Sequence, residues 1–209
     1  MATTAPKHEF VYLASQSPRR RQLLDQLGVR HELLLPGEDE DAEALETTRP
    51  GELPLAYVER VTLNKLGAAR ARLKQRGLAP APVLCSDTTV ALGRRILGKP
   101  ADAAEATATL RALSGCSHRV MTAVALWDGR RSAVLVSVSR VTFAELPDAL
   151  IADYVASGQP FGKAGAYAVQ SALAGWIPAI AGSYSGIMGL PLHETRQLLQ
   201  DARVRIEMR

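Results

Sequence analysis

Residues 82–92 read PVLCSDTTVAL, and they constrain the fold more than any other segment of the chain. They lack the apolar–polar alternation of a strand that faces water on one side. A run of this kind suits a strand buried on both faces, in a sheet with helices packed on each side. The flanking sequence offers such partners. Residues 9–14 (EFVYLA) and 30–35 (RHELLL) predict short strands. Between them lies a helix signal, with Ser17 at the cap, Pro18 in the first position and Gly28 at the stop. Residues 53–76 predict a long amphipathic helix and 101–113 an Ala-rich one. Residues 118–127 and 132–143 predict two strands joined at Asp128-Gly129, a strong hairpin signal. A helix over 146–157 and a final one from Pro191 through Asp201 complete the reading, while residues 158–189 predict no regular element. Strands and helices alternating around a central hairpin predict an α/β domain with a mixed sheet.

At 209 residues, with 47% hydrophobic and 22% charged residues, the chain has the composition of one soluble globular domain, or of one domain with a minor lobe. No apolar run reaches the length on the order of 18 residues that a membrane span needs. Residues 1–9 are polar and lack the apolar core of a secretion signal. Cys85 and Cys116 form no metal or redox spacing, so a reducing cytoplasm is the expected location. The 25 basic residues exceed the 21 acidic ones and 20 of them are Arg, which suits planar anions such as phosphate. Three Phe, five Tyr and two Trp, all scattered, make a poor base-stacking platform and disfavour nucleic acid as the partner.

Four places carry candidate chemistry. Residues 15–21 put Arg19, Arg20 and Arg21 in the first turn of a helix, where the dipole disfavours cations and something must offset them. A phosphate chain held by the helix N–H groups, Ser hydroxyls and Arg forks would do so; a tolerated surface cluster is the alternative. Asp87 interrupts the buried strand, either as a catalytic or metal-binding acid or as the cap of a turn where the strand ends. Lys65 shares an apolar helical stripe with Val58, Val61, Ala69 and Leu73, so it either snorkels or meets a buried anion. Lys99 follows a strand in ILGKP and is weak evidence by itself. Residues 161–192 are rich in Gly and Ala, which lets backbone approach a ligand, with Lys163 and Gln170 as polar groups suited to phosphate and base edges. Residues 38–46 hold six carboxylates and read first as a solvated loop. There is no phosphate-loop, dinucleotide-binding, nucleophile-elbow or zinc-spacing motif.

LASQSPRR (13–20), SDTTV (86–90), LGKP (97–100), LSGCSHRVMTAVAL (113–126), KAGAYAVQ (163–170) and GSYSGIMGLPL (182–192) together resemble the Maf family of nucleotide pyrophosphatases. The resemblance runs from about Phe10 to Leu199. It implies an elongated mixed sheet flanked by helices, with two lobes and a central cleft, similar to the inosine triphosphate pyrophosphatase superfamily. The domain is expected over 9–200, with 1–8 and 201–209 as flexible or peripheral tails. The implied activity is divalent-metal-dependent hydrolysis, with Mg²⁺ or Mn²⁺, of a nucleoside triphosphate to the monophosphate and pyrophosphate. The DT pair and GAY-x-x-Q look like the subgroup acting on thymidine and uridine triphosphates.

Carried onto this sequence, the resemblance makes Asp87 the catalytic acid and matches Ser15, Arg19 and Arg20 to a phosphate-binding turn. It matches Lys65 and Lys99 to two functional lysines and Glu40 to a functional acid, so that Asp87 and Glu40 are the expected metal ligands. Arg19, Thr88 and Gln170 match positions associated with substrate choice, and Lys163 is expected to bind substrate. Asn64 and Gly162 depart from the family, which usually has an acid before the first lysine and often has Asp before Lys163. The resemblance is compatible with a homodimer. The alternative reading is a catalytically weak nucleotide- or nucleic-acid-binding regulator of cell division.

Overall fold

The computed structural model describes residues 5–37, 40–41 and 44–207. Among these, seven strands form one mixed sheet in the order β2-β1-β3-β5-β6-β7, with β4 paired to β3. The strands are β1 (Val11–Leu13), β2 (His31–Leu33), β3 (Val83–Leu92), β4 (Arg95–Leu97), β5 (Ser117–Trp127), β6 (Ser132–Thr142) and β7 (Ala179–Ala181). β1 runs parallel to β2 and β3, and the remaining pairs are antiparallel. The helices are α1 (Pro18–Gln26), α2 (Pro54–Gln75), α3 (Ala103–Leu113), α4 (Asp148–Ala156), α5 (Tyr184–Met188) and α6 (Leu192–Asp201).

β3 is buried along nearly its whole length, as its unbroken apolar run requires. It also links separate parts of the core. Val83 and Cys85 pack with Leu66, Ala69 and Leu73 of α2, and Leu84 packs with Val11, Leu24 and Leu199. Val90 joins a different cluster with Leu110, Phe143, Ile151 and Tyr167. Asp87 and Thr88 lie along β3 between the residues that join these clusters.

The sheet is incomplete at the same place. On its outer edge, β3 pairs with β1 only at Val83 and Leu84, and with β4 only from Val90 to Leu92. Among the described residues, 85–89 have no strand neighbour on that edge. β1 ends at Leu13, the Ala14 N–H closes onto the Leu84 carbonyl, and the chain turns into α1. A ligand entering this gap can reach both faces of β3: Cys85 and Asp87 project toward α2, while Ser86, Thr88 and Val90 project the other way.

Residues 158–189, which predict no element, contain two 3₁₀ segments (Ala164–Ala166 and Ala172–Trp176), β7 and α5. Gly165 shows why the sequence is so rich in small residues. Its φ is +70°, and a Cβ there would sit 2.8 Å from Val90 Cγ1, so only glycine brings this turn against β3. Residues 203–207 make backbone hydrogen bonds with the start of the chain and with the turn after α1. The Arg203 carbonyl accepts from Lys7 N–H, and Glu207 N–H donates to the Gly28 carbonyl.

Candidate active site

The gap beside β3 opens into a cleft of about 500 Å³. It draws on the β1–α1 turn, α2, the middle of β3, the β4–α3 loop, the 3₁₀ segment Ala164–Ala166 and the end of α5. Among the described residues, six cations line it, Arg19, Arg20, Lys65, Arg72, Lys99 and Lys163, against two carboxylates, Glu46 and Asp87. A concave surface with that excess of positive charge suits a polyanion.

The charged end is built on α2. Lys65 interrupts an otherwise buried stripe in which Val58, Val61 and Ala69 are fully inaccessible. It is there to meet anions rather than to snorkel. Its Nζ donates to Asp87 Oδ1 at 2.5 Å and to Glu46 Oε1 at 2.7 Å. Glu46 Oε2 in turn accepts from Lys99 Nζ at 2.6 Å. The result is a chain of alternating charge, Asp87–Lys65–Glu46–Lys99, drawn from β3, α2, a 3₁₀ turn (Ala44–Glu46) and the loop after β4. Burial raises the Glu46 pKa, but the Lys65 charge and the hydrogen bonds from both lysines outweigh it and leave the group below its ordinary value. The turn carrying Glu46 is fastened to α2. Tyr57 Oη donates to the Glu46 carbonyl at 2.7 Å, and Arg60 joins the Thr47 carbonyl to the Glu52 carboxylate. Burial, with the Asp87 and Glu46 charges, pushes the Tyr57 phenol up to about 12, so it remains a proton donor to that carbonyl.

Glu40, the acid matched from sequence, pairs with Arg72, which itself lines the cleft. Arg72 Nε and Nη2 donate to its two oxygens at 2.7 and 2.5 Å, and this pairing holds its pKa at about 2. Glu40 is not among the residues lining the cleft. The carboxylate that the structure brings to Lys65 and Lys99 is Glu46, the last of the six acids in residues 38–46. Glu38, Asp39 and Glu43 from the same stretch lie outside the described residues.

At the other wall, Ser17 occupies the N-cap of α1 without a side-chain cap, which leaves the first N–H groups of that helix available. Two of the three arginines of its first turn are offset within the protein. Arg20 Nε donates to the Gly189 carbonyl at 2.8 Å and its Nη1 to Ser15 Oγ at 3.1 Å, while Arg19 Nε reaches the Met188 carbonyl at 3.4 Å. These carbonyls end α5, so guanidinium groups misplaced on one helix dipole serve the negative end of another. Burial lowers the Arg20 pKa, and the nearby Asp87 charge works against that shift.

Thr88, Lys163 and Gln170 also line the cleft. Lys163 Nζ is held by the Gln159 and Phe161 carbonyls, and its pKa is lowered by burial and by the Arg19 charge. Gln170 is exposed. Of the two departures noted in the sequence, Asn64 is exposed on α2, while Gly162 lines the cleft at a φ of +71°, a conformation that Asp adopts with strain. Both free cysteines stand outside this chemistry. Cys85 is buried, which pushes its thiol up to about 12.

Donor chemistry bears on a metal. Asp87 and Glu46 both reach Lys65 Nζ and offer only oxygen; one oxygen of Asp87 accepts from a lysine, and both oxygens of Glu46 do. Among the described residues there is no cluster of three or more metal-ligating side chains. Two carboxylates beside a cleft rich in cations fit a hard divalent cation that completes its shell with water or an anionic ligand.

The sequence profile of the Maf-like protein family matches residues 10–202. A protein of a Polaromonas species, described as a dTTP/UTP pyrophosphatase, is 65% identical over 201 residues, 96% of this chain and all of its own. Proteins of the same description from Albidiferax ferrireducens and Cupriavidus pinatubonensis are 65% and 57% identical, over 92% and 95% of this chain and 96% and 99% of theirs. Among solved structures, a nucleoside-triphosphatase (dITP/XTP pyrophosphatase) of Mycobacterium abscessus overlaps 66% of this chain and 75% of its own, at 17% identity and a TM-score of 0.39. With a family profile matched across nearly the whole chain and relatives this similar over their full length, the protein belongs to the Maf family.

Proposed function

We propose that the protein hydrolyses thymidine and uridine triphosphates to the monophosphate and pyrophosphate, by attack of water on the α-phosphorus. The observation that carries this is the Asp87–Lys65–Glu46–Lys99 chain facing Arg19 and Arg20 across one cleft. The names of the relatives supply the nucleotides.

In this reading Arg19, Arg20 and the free N–H groups of α1 bind the phosphate chain. Asp87 Oδ2, the oxygen not engaged by Lys65, orients the water and takes its proton as the new P–O bond forms. The α–β bridging bond breaks, and Lys65 and Lys99 neutralise the charge that develops on the leaving pyrophosphate. Asp87 and Glu46 are the side chains that would hold Mg²⁺ or Mn²⁺, which when bound supplies charge neutralisation at phosphate oxygens. The reading places the enzyme in the cytoplasm, where unpaired cysteines stay reduced, and no described helix is long and apolar enough to cross a membrane. It keeps the homodimer with which the resemblance is compatible, which light scattering tests.

The test is pyrophosphate release from a nucleotide panel with Mg²⁺, Mn²⁺ or EDTA. Metal-dependent release favouring dTTP and UTP is expected, and Asp87→Asn should lose at least about 100-fold in kcat while melting as a folded protein. Full activity in that variant, or in EDTA, would refute the scheme.

A further inference from the structure

Thr88 and Thr122 face each other directly across β3 and β5. Thr122 is 1% exposed and lies behind the cleft wall, while Thr88 is half-buried and lines the cleft. Their hydroxyls are 3.0 Å apart, and Thr122 Oγ1 is also 2.7 Å from the Gly186 carbonyl. A carbonyl only accepts, so the single hydroxyl proton of Thr122 is spent on Gly186. The contact between the two hydroxyls then needs the proton of Thr88. Thr88 is left with lone pairs alone to present to the cleft.

We infer that Thr122 sets the selectivity of the site for the base, by fixing Thr88 as a hydrogen-bond acceptor that pairs with an imide N–H. The inference rests on the reading of the cleft as a pyrimidine nucleotide site. Thr88 has no proton for a phosphate oxygen, so it does not serve the polyphosphate. Val90, Val120, Tyr167, Ile187 and Met188 line the same cleft and give it the apolar surface that a base needs. Thymine and uracil carry N–H at position 3. Cytosine carries a lone pair there, so lone pair would meet lone pair. A ribose hydroxyl both donates and accepts, and a fixed polarity would not discriminate it. Thr122 touches no substrate in this scheme; it is a positioning residue acting through Thr88.

The test compares kcat/KM for dTTP, dCTP and N3-methyl-dTTP in the wild type, Thr122→Val and Thr122→Ser. Valine keeps the shape of Thr122 but removes its hydroxyl, so Thr88 becomes free to turn and donate. The dCTP-to-dTTP ratio is expected to rise at least about ten-fold in Thr122→Val and to stay within about two-fold in Thr122→Ser. Wild-type enzyme is expected to use N3-methyl-dTTP at least about 100-fold less well than dTTP. A ratio unmoved in Thr122→Val overturns the inference even where overall activity falls, because a purely structural role lowers both substrates together. If the valine variant fails to fold, N3-methyl-dTTP turned over by the wild type as readily as dTTP overturns it instead. Wild-type protein that releases no pyrophosphate from dTTP removes the parent reading, and this inference with it.

Discussion

Replacing Glu46 with Gln separates the acid that the structure puts in the cleft from the one matched by sequence. The substitution keeps the shape of the side chain and removes the charge shared by Lys65 and Lys99, which donate to it at 2.7 and 2.6 Å. A hydrogen bond to a charged group contributes about 1.5–3 kcal/mol. The Lys99 side chain is 46% exposed and that of Glu46 25% exposed, so solvent screens their contact and favours the lower half of the range. The Lys65 contact is less exposed, at 19% for the lysine side chain. If both lysines must be held in place when charge develops on the leaving group, about 2–3 kcal/mol is lost from transition-state stabilisation, or roughly 30- to 150-fold in kcat/KM. Glu40→Gln disturbs the pairing with Arg72 and the contact from the Gly37 N–H, and should cost less than about five-fold. The assay is pyrophosphate release from dTTP under saturating Mg²⁺, with melting temperatures to confirm folding. A loss in Glu40→Gln as large as that in Glu46→Gln would refute the assignment of the cleft acid.

Two further outcomes concern the lobe behind the cleft. His118 is buried between Phe143 and Tyr167, and burial pulls its pKa from 6.5 to about 4. The unfolded chain therefore takes up a proton before the folded one does: stability is full above about pH 6.5 and is lost as pH falls toward 4, by about 3 kcal/mol. Urea unfolding across this window should show the slope in the wild type and a reduced one in His118→Gln; equal slopes would contradict the burial argument. Gly165→Ala combines a φ of +70° with a Cβ 2.8 Å from Val90, and should cost at least about 2 kcal/mol by thermal or urea unfolding. A variant as stable as the wild type would show that the turn does not need the close approach.

What the sequence made legible was local. The doubly buried β3, the α2 stripe broken by Lys65, the hairpin at Asp128-Gly129 and the Pro18-to-Gly28 helix each leave a signature within a dozen residues, and the folded chain shows all four. Asp87 and Lys65 stood out because each is a charge at a position whose neighbours are buried. β7 and α5 did not stand out: three and five residues in a Gly-rich stretch are too short to set up a period, and packing on β6 and β5 defines them. Arg19 and Arg20 look unpartnered in the local sequence because the carbonyls they meet, of Met188 and Gly189, lie 169 residues away.

Glu46 shows where this kind of reading stops. Six acids in nine residues look alike locally, and composition marks all of them as solvated. What distinguishes Glu46 is held elsewhere in the chain: Tyr57 and Arg60 fasten its turn to the start of α2, and Lys65, two turns further along that helix, takes its carboxylate. α2 thus supplies both the anchor for the loop and the cation for its acid, so the position of Glu46 is set by a rigid helix rather than by its own loop. Arg72, further along α2, takes Glu40 in the same way. One helix therefore sorts two acids of a single loop, sending one into the cleft and one to its margin, and the choice lies in the spacing of Tyr57, Arg60, Lys65 and Arg72 rather than in the acidic segment itself.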